Sequence, residues 1–201
     1  MISPATLSVV DDWPIEEAWG TIVDNIKNEY LSEQQSYPWI VGFSGGKDST
    51  VVTHAIFEAL LQISPSRRVR PIHIVSNDTM VESPLVIAHL DVVSERIRQA
   101  AHSLDLPITV ARTKPDPDKT FWALLIGKGY PSPNMTMRWC TDRLKIQPTS
   151  SYIKEQASQS GAAIVVLGFD GMKVNLASVQ LRNGETGGAK ICHPMTGFLA
   201  P

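Results

Sequence analysis

The sequence predicts an α/β domain: a mostly parallel sheet with helices on both faces. Three observations point to it. Short apolar runs rich in β-branched residues alternate with longer stretches of helical spacing. The runs Trp39–Phe43, Ile72–Val75 and Ala162–Gly168 are nearly continuous in apolar character, as strands covered on both faces are. The first two run directly into segments rich in glycine, hydroxyl and acidic residues, at the carboxyl edge where such sheets bind their ligands.

The elements follow in order. Residues 1–11 read as a loose lead, after which Asp12 can cap a helix and Pro14 suits its first turn. Ile15, Trp19, Ile22, Ile26 and Tyr30 recur at helical spacing, and Ser32–Tyr37 is a polar connection. A strand over 38–43, a glycine turn and a helix over 49–62 come next, then a basic, proline-containing turn from Pro65 to Arg70. A second strand covers 71–76, and a long helix runs from Pro84 to Ser103. A third strand is expected over 106–111, a short helix over 121–126, and a loop rich in Gly, Pro and Ser from Gly127 to Met137. A modest helix over 147–158 and a buried strand over 162–168 complete the pattern. The expected organisation is an N-terminal helical lead, 1–35, and one α/β domain, 36–201.

Bulk properties narrow the function classes. A chain of 201 residues with 43% hydrophobic and 19% charged residues fits a globular domain with one core. A net charge of −2 gives no global basic field, so a nucleic-acid partner has to meet a local patch. No apolar run reaches the length of a membrane span, and the N-terminus has Asp11 and Asp12 rather than a basic leader. Two cysteines, Cys140 and Cys192, make no disulfide framework, so a cytoplasmic setting is expected.

The chemistry concentrates in Ser44-Gly45-Gly46-Lys47-Asp48-Ser49-Thr50. A glycine turn between strand and helix gathers backbone N–H groups at the positive end of a helix dipole, which suits phosphate. Glycine lets an anion approach the backbone closely. Lys47 adds a mobile positive charge, and Ser49 and Thr50 offer hydroxyls. Asp48 would hold a hard cation such as Mg²⁺ or cap the helix. The Walker A spacing is absent. After the second strand, Asp78 and Glu82 can serve ribose, metal or proton transfer; the alternative is a helix start, with Asp78 or Thr79 as cap. A third constellation is Arg138-Trp139-Cys140-Thr141-Asp142-Arg143-Leu144-Lys145. Arg138, Arg143 and Lys145 could clamp a phosphodiester or sulfate, and cations beside Cys140 favour a thiolate. A solvated basic face around a structural cysteine is the alternative.

Ser44–Ser49 resembles the SGGxDS signature of the PP-loop ATP pyrophosphatases, which split ATP between its α and β phosphates and transfer AMP to an oxygen. With Leu125–Pro131, Arg138–Thr141, Arg143–Lys145 and Ser76–Pro84, the chain is similar over roughly residues 36 to 168 to DndC-type ATP pyrophosphatases of bacterial DNA phosphorothioation, in the PAPS reductase-like branch. The resemblance implies ATP and Mg²⁺. Ser44, Gly45, Gly46, Lys47, Ser49, Thr50, Asp78 and Gly168 would bind nucleotide, and Asp48 would support the metal. Lys47, Asp48, Arg138, Cys140, Arg143 and Lys145 would serve catalysis, with Cys140 as a sulfur carrier. It also implies DNA, a cysteine desulfurase and other phosphorothioation subunits as partners.

The chain departs from that family in two places. The family's Gly-x-Arg after the last strand reads Gly168-Phe169-Asp170, with Lys173 or Arg182 as possible substitutes for the lost charge. The family's iron–sulfur cluster needs four thiolates, and the sequence holds two cysteines. Cys192-His193 is read as structural rather than as a partial metal site. The sequence stops near where longer relatives continue, so the expectation is a short member or a catalytic core. Two other readings stay open: a PAPS or sulfate-assimilation enzyme of the same fold, and a non-catalytic ATP-binding subunit, which the changed Asp170 region favours.

Overall fold

The computed structural model describes residues 14–32, 37–169, 173–180 and 190–195. The expected cap at Asp12, the connection at 33–36, and the positions Asp170 and Arg182 lie outside them.

Among the described residues, six strands form one sheet in the order β3-β2-β1-β4-β5-β6. The first four, β1 (Trp39–Gly42), β2 (Ile72–Asn77), β3 (Ile108–Thr113) and β4 (Ala162–Phe169), are parallel neighbours. The last two, β5 (Lys173–Gln180) and β6 (Lys190–Met195), add antiparallel pairs at the β4 edge and were not expected from the sequence.

The side-chain alternation of β1 and β2 divides the core in two. Trp39, Val41, Ile72 and Ile74 face one way, into a large cluster with Val23, Ile26, Val52, Ile56, Leu60 and Leu90 from three helices. Those helices are α1 (Ile15–Tyr30), α2 (Lys47–Leu61) and α3 (Pro84–Ser103). Ile40 and Val75 face the other way, onto Ile153 and Ala157 of α5 (Gln147–Ser160). The sheet is therefore covered on both faces, as predicted. Helix α1 belongs to the larger cluster, and its Trp19 indole donates to the Glu58 carboxylate of α2 at 2.7 Å.

Arg70, in the expected basic turn, is buried. Its guanidinium donates to the carbonyls of Glu29 (3.2 Å) and Ser32 (2.9 Å) at the end of α1, and it lies over the Tyr30 and Trp39 rings. The Tyr30 hydroxyl donates to the Arg70 carbonyl at 2.8 Å and accepts from its N–H at 3.0 Å.

Two boundaries differ from expectation. Strand β3 begins at Ile108, because Leu106 turns into the core and the Pro107 carbonyl accepts the Ile72 N–H. The helix expected to begin at 147 is preceded by continuous helical backbone: α4 (Trp139–Thr141), then a π-helical stretch over Asp142–Ile146. Among the described residues, no helix is long and apolar enough to cross a membrane.

Candidate functional site

Strands β1, β2 and β3 are joined in sequence by α2 and α3 on one face, and the chain then returns across the other face through α5 to place β4 against β1. The strand order thus reverses between β1 and β4, and ligands of such sheets sit at the carboxyl side of that reversal. The Ser44–Thr50 loop leaves β1 there.

Gly45 has φ +76°, a left-handed conformation that disfavours any side chain. A Cβ at that position would meet Leu90 Cδ1 at 3.3 Å and His89 Cδ2 at 3.8 Å, so the loop lies against α3. Gly46 is the residue before α2, with extended backbone and no side-chain cap. Its carbonyl is bound from both following hydroxyls: Ser49 Oγ donates at 3.0 Å and Thr50 Oγ1 at 2.8 Å. Ser49 Oγ also accepts the Ser44 N–H at 3.3 Å and lies 3.2 Å from Ser44 Oγ. The hydroxyls expected to face phosphate are thus turned inward in this structure, bracing the loop.

Among the described residues, the N–H groups of Gly45, Lys47, Asp48 and Ser49 have no acceptor in the protein. Three of them are the orphan donors of the first helical turn, and together they make a donor cluster at the positive end of a 15-residue helix. The Lys47 side chain is 85% exposed, with its ammonium 4.0 Å from the Asp48 carboxylate. Asp48 makes no capping bond. No three His, Cys, Asp or Glu side chains gather into a metal cage among the described residues. A single carboxylate beside a phosphate loop still fits Mg²⁺, which takes one or two carboxylates plus substrate oxygens. The two cysteines of the sequence do not fit a four-thiolate cluster.

The segment after β2 is a tight turn, not a helix start, since α3 begins at Pro84 with Ser83 before it. Asp78 Oδ1 accepts the Met80 N–H at 3.0 Å and so supports Met80 at φ +61°. Its other oxygen pairs with Lys114 at 3.4 Å. The buried Thr79 hydroxyl donates to Glu82 at 3.2 Å. Glu82 in turn lies 3.6 Å from Lys145, which brings the second and third constellations together. Cys140, Arg143 and Lys145 share one helical run, anchored by buried Leu144, and Arg138 is the residue just before it. Cys140 is half-buried and unbonded to any sulfur. Trp139 holds the run's start: its indole donates to the Pro131 carbonyl at 2.9 Å and stacks on Phe121. Gly168 is in β4, paired with Val174 of β5.

Sequence reasoning missed Asn77. Its Oδ1 accepts from Thr113 (2.6 Å) and Thr149 (2.7 Å), tying the carboxyl ends of β2 and β3 to α5. Also missed were Arg112 and Lys114, which line a cleft with Arg143. Their signal was their place at the end of a strand.

No protein-family model matches this chain, and no curated protein does. Among solved structures, it is similar to the NH3-dependent NAD synthetase of Campylobacter jejuni, described in complex with the nitrate ion, with a TM-score of 0.45 and 14% identity. That likeness covers 76% of this chain, which spans 56% of the synthetase chain.

Proposed function

We propose that this chain is a PP-loop-type ATP pyrophosphatase that adenylates a DNA backbone phosphate for sulfur incorporation. The observation that carries the reading is the loop after β1: unpaired N–H groups at a helix N-terminus, a glycine in left-handed conformation, and Lys47 and Asp48 at its mouth. Such donors suit the β and γ phosphates of ATP.

In this reading a non-bridging oxygen of a DNA diester attacks the α-phosphorus of ATP. A P–O bond forms to that oxygen, the α–β P–O bond breaks, and pyrophosphate leaves while held by the loop. Lys47 neutralises the charge that grows on the leaving group, and Asp48 would hold Mg²⁺, which supplies further charge neutralisation there. In this reading Arg138 and Lys145 serve the oxygens of the phosphorus under attack, with Arg143 beside them on the same run.

Cys140 serves as sulfur carrier, loaded as a persulfide by a cysteine desulfurase. The terminal sulfur attacks the adenylated DNA phosphorus and displaces AMP, and a second thiol, supplied as reductant by a partner, cleaves the remaining S–S bond to release phosphorothioate.

The test is product analysis with ATP, Mg²⁺ and DNA. AMP and pyrophosphate, formed faster with DNA, are expected. ADP and phosphate refute the assignment. ATP binding with no turnover under any DNA condition favours a non-catalytic subunit.

A further inference from the structure

Beyond the carboxyl end of β3 lies a cleft of about 310 Å³ against the first half of α5. Three separate stretches bring cations to it: Lys114 from just past the strand's end, Lys119 from the following turn, and Arg143 from the π-helical run; Arg112 also lines it, but its guanidinium is paired with Asp91 of α3, on the other face of the sheet. Two carboxylates, Asp116 and Glu155, also line it, so cations are in excess. Lys119 donates to the Asp116 carboxylate, and that hydrogen bond holds it above the ordinary lysine range.

Each cation has a carboxylate nearby; Asp116 lines the cleft itself, while Asp91, Asp78 and Asp142 do not. Arg112 turns to Asp91 of α3 (2.6 Å), Lys114 to Asp78 (3.4 Å), Lys119 to Asp116 (2.6 Å) and Arg143 to its neighbour Asp142 (3.7 Å). Surface pairs of this kind contribute little to stability, so an incoming anion can compete with them. The Arg143 guanidinium, the Lys114 and Lys119 ammonium groups and the Gln147 amide offer donors that suit a tetrahedral oxyanion. The space exceeds what a bare phosphate fills and leaves room for its flanking sugars.

We propose that this cleft is a second anion site, separate from the Ser44–Thr50 loop, which seats a phosphodiester of the DNA strand next to the one that reacts. It deepens the ATP-dependent reading above and rests on it for the identity of the strand. The placement fits: β3 lies two strands from β1 on the same carboxyl edge, roughly 10 Å away at ordinary strand spacing. The cleft's role is to set register, as phosphate contacts do in nucleic-acid complexes.

The experiment titrates the protein with a fluorescent single-stranded oligonucleotide, without ATP, over a range of KCl. Lys119→Glu and Gln147→Glu are compared with wild type, and thermal unfolding checks that both variants fold. The expected result is a drop of tenfold or more in affinity for each, with a salt dependence shallower by about 0.7 in slope for every phosphate left unneutralised. Unchanged oligonucleotide affinity in both folded variants overturns the proposal. So does binding of inorganic phosphate, sensitive to the same variants, by a protein that binds no oligonucleotide. ATP binding is measured separately on wild type and Lys47→Ala. If wild type binds no ATP while the oligonucleotide results come out as expected, the ATP reading fails and the anion site stands.

Discussion

The two glycines of the loop do different work, and alanine substitutions separate them. At Gly45 a side chain must adopt φ +76°, which costs about 1–2 kcal/mol for a residue with a Cβ. The new methyl also meets Leu90 Cδ1 at 3.3 Å, which requires the core-packed Leu90 to give way slightly. The summed destabilisation of Gly45→Ala is therefore about 1–3 kcal/mol, or roughly 3–10 °C in Tm for a domain of this size. At Gly46 the backbone is extended, φ −84° and ψ 172°, and the new Cβ meets only Ser44 Oγ at 3.4 Å. Gly46→Ala should cost less than about 1 kcal/mol, mainly from the poorer residue before the helix. Its methyl nevertheless sits where an anion approaches the N–H cluster, so ATP affinity should fall at least tenfold. The assays are urea unfolding and isothermal titration with ATP and Mg²⁺ on both variants. A Gly46→Ala protein that binds ATP as wild type does refutes the phosphate-cradle argument. A Gly45→Ala protein as stable as wild type refutes the backbone argument.

Lys47→Ala and Asp48→Ala should each reduce pyrophosphate release at least a hundredfold while moving Tm by less than about 2 °C, since both side chains are solvent-facing; a normal rate in either rejects its assigned role. Cys140→Ser should abolish sulfur incorporation into DNA and spare pyrophosphate release, as followed by phosphorothioate detection and a coupled pyrophosphate assay; retained incorporation removes the carrier role. Burial pushes His73 below the ordinary histidine range, so the unfolded chain takes up its proton first as pH falls. His73 then contributes full stability above about pH 6.5 and loses it below, by at most about 1.4 kcal/mol per pH unit; His73→Gln should flatten that part of a urea-midpoint profile, and an unchanged slope contradicts the assignment. Arg70→Met should destabilise by about 2–4 kcal/mol, because the carbonyls of Glu29 and Ser32 lose a charged donor; a stability within about 0.5 kcal/mol of wild type, read by the same unfolding assay, contradicts it.

The parallel core was legible because β1, β2 and β4 are apolar on both sides, and a strand covered by helices above and below leaves that mark in the sequence. Helix α3 was legible to the residue, since Pro84 starts it and the charged, helical-period face runs unbroken to Ser103. The loop after β1 was legible because its glycines and charges exceed what a helix cap requires. The start of the α4–α5 run was not. The π-helical stretch inserts an extra residue into the turn and breaks the 3.6 period, only Leu144 of Trp139–Ile146 is buried, and Pro148 imitates a helix beginning. The link between the second and third constellations, and the tie from β2 to α5, were also hidden. Lys145 with Glu82, and Asn77 with Thr149, join residues far apart in the chain through single polar contacts that leave no periodic trace.

Those links explain why a chain with no global basic field can still present one. The π-helical stretch lets the run from Trp139 reach over the carboxyl edge before α5 settles onto the sheet through Ile153 and Ala157. Lys145 thereby meets Glu82 in the turn after β2, and Arg143 joins Lys114 and Lys119 in the cleft beyond β3. Regular α-helical winding over the same residues would rotate the charged positions relative to Leu144 and α5 by roughly 100° per residue of register. The π segment is thus a positioning device: deleting one residue within Asp142–Ile146 should keep α5 packed yet scatter the cations, lowering oligonucleotide affinity more than stability. A deletion that leaves oligonucleotide affinity intact in a folded protein refutes that role.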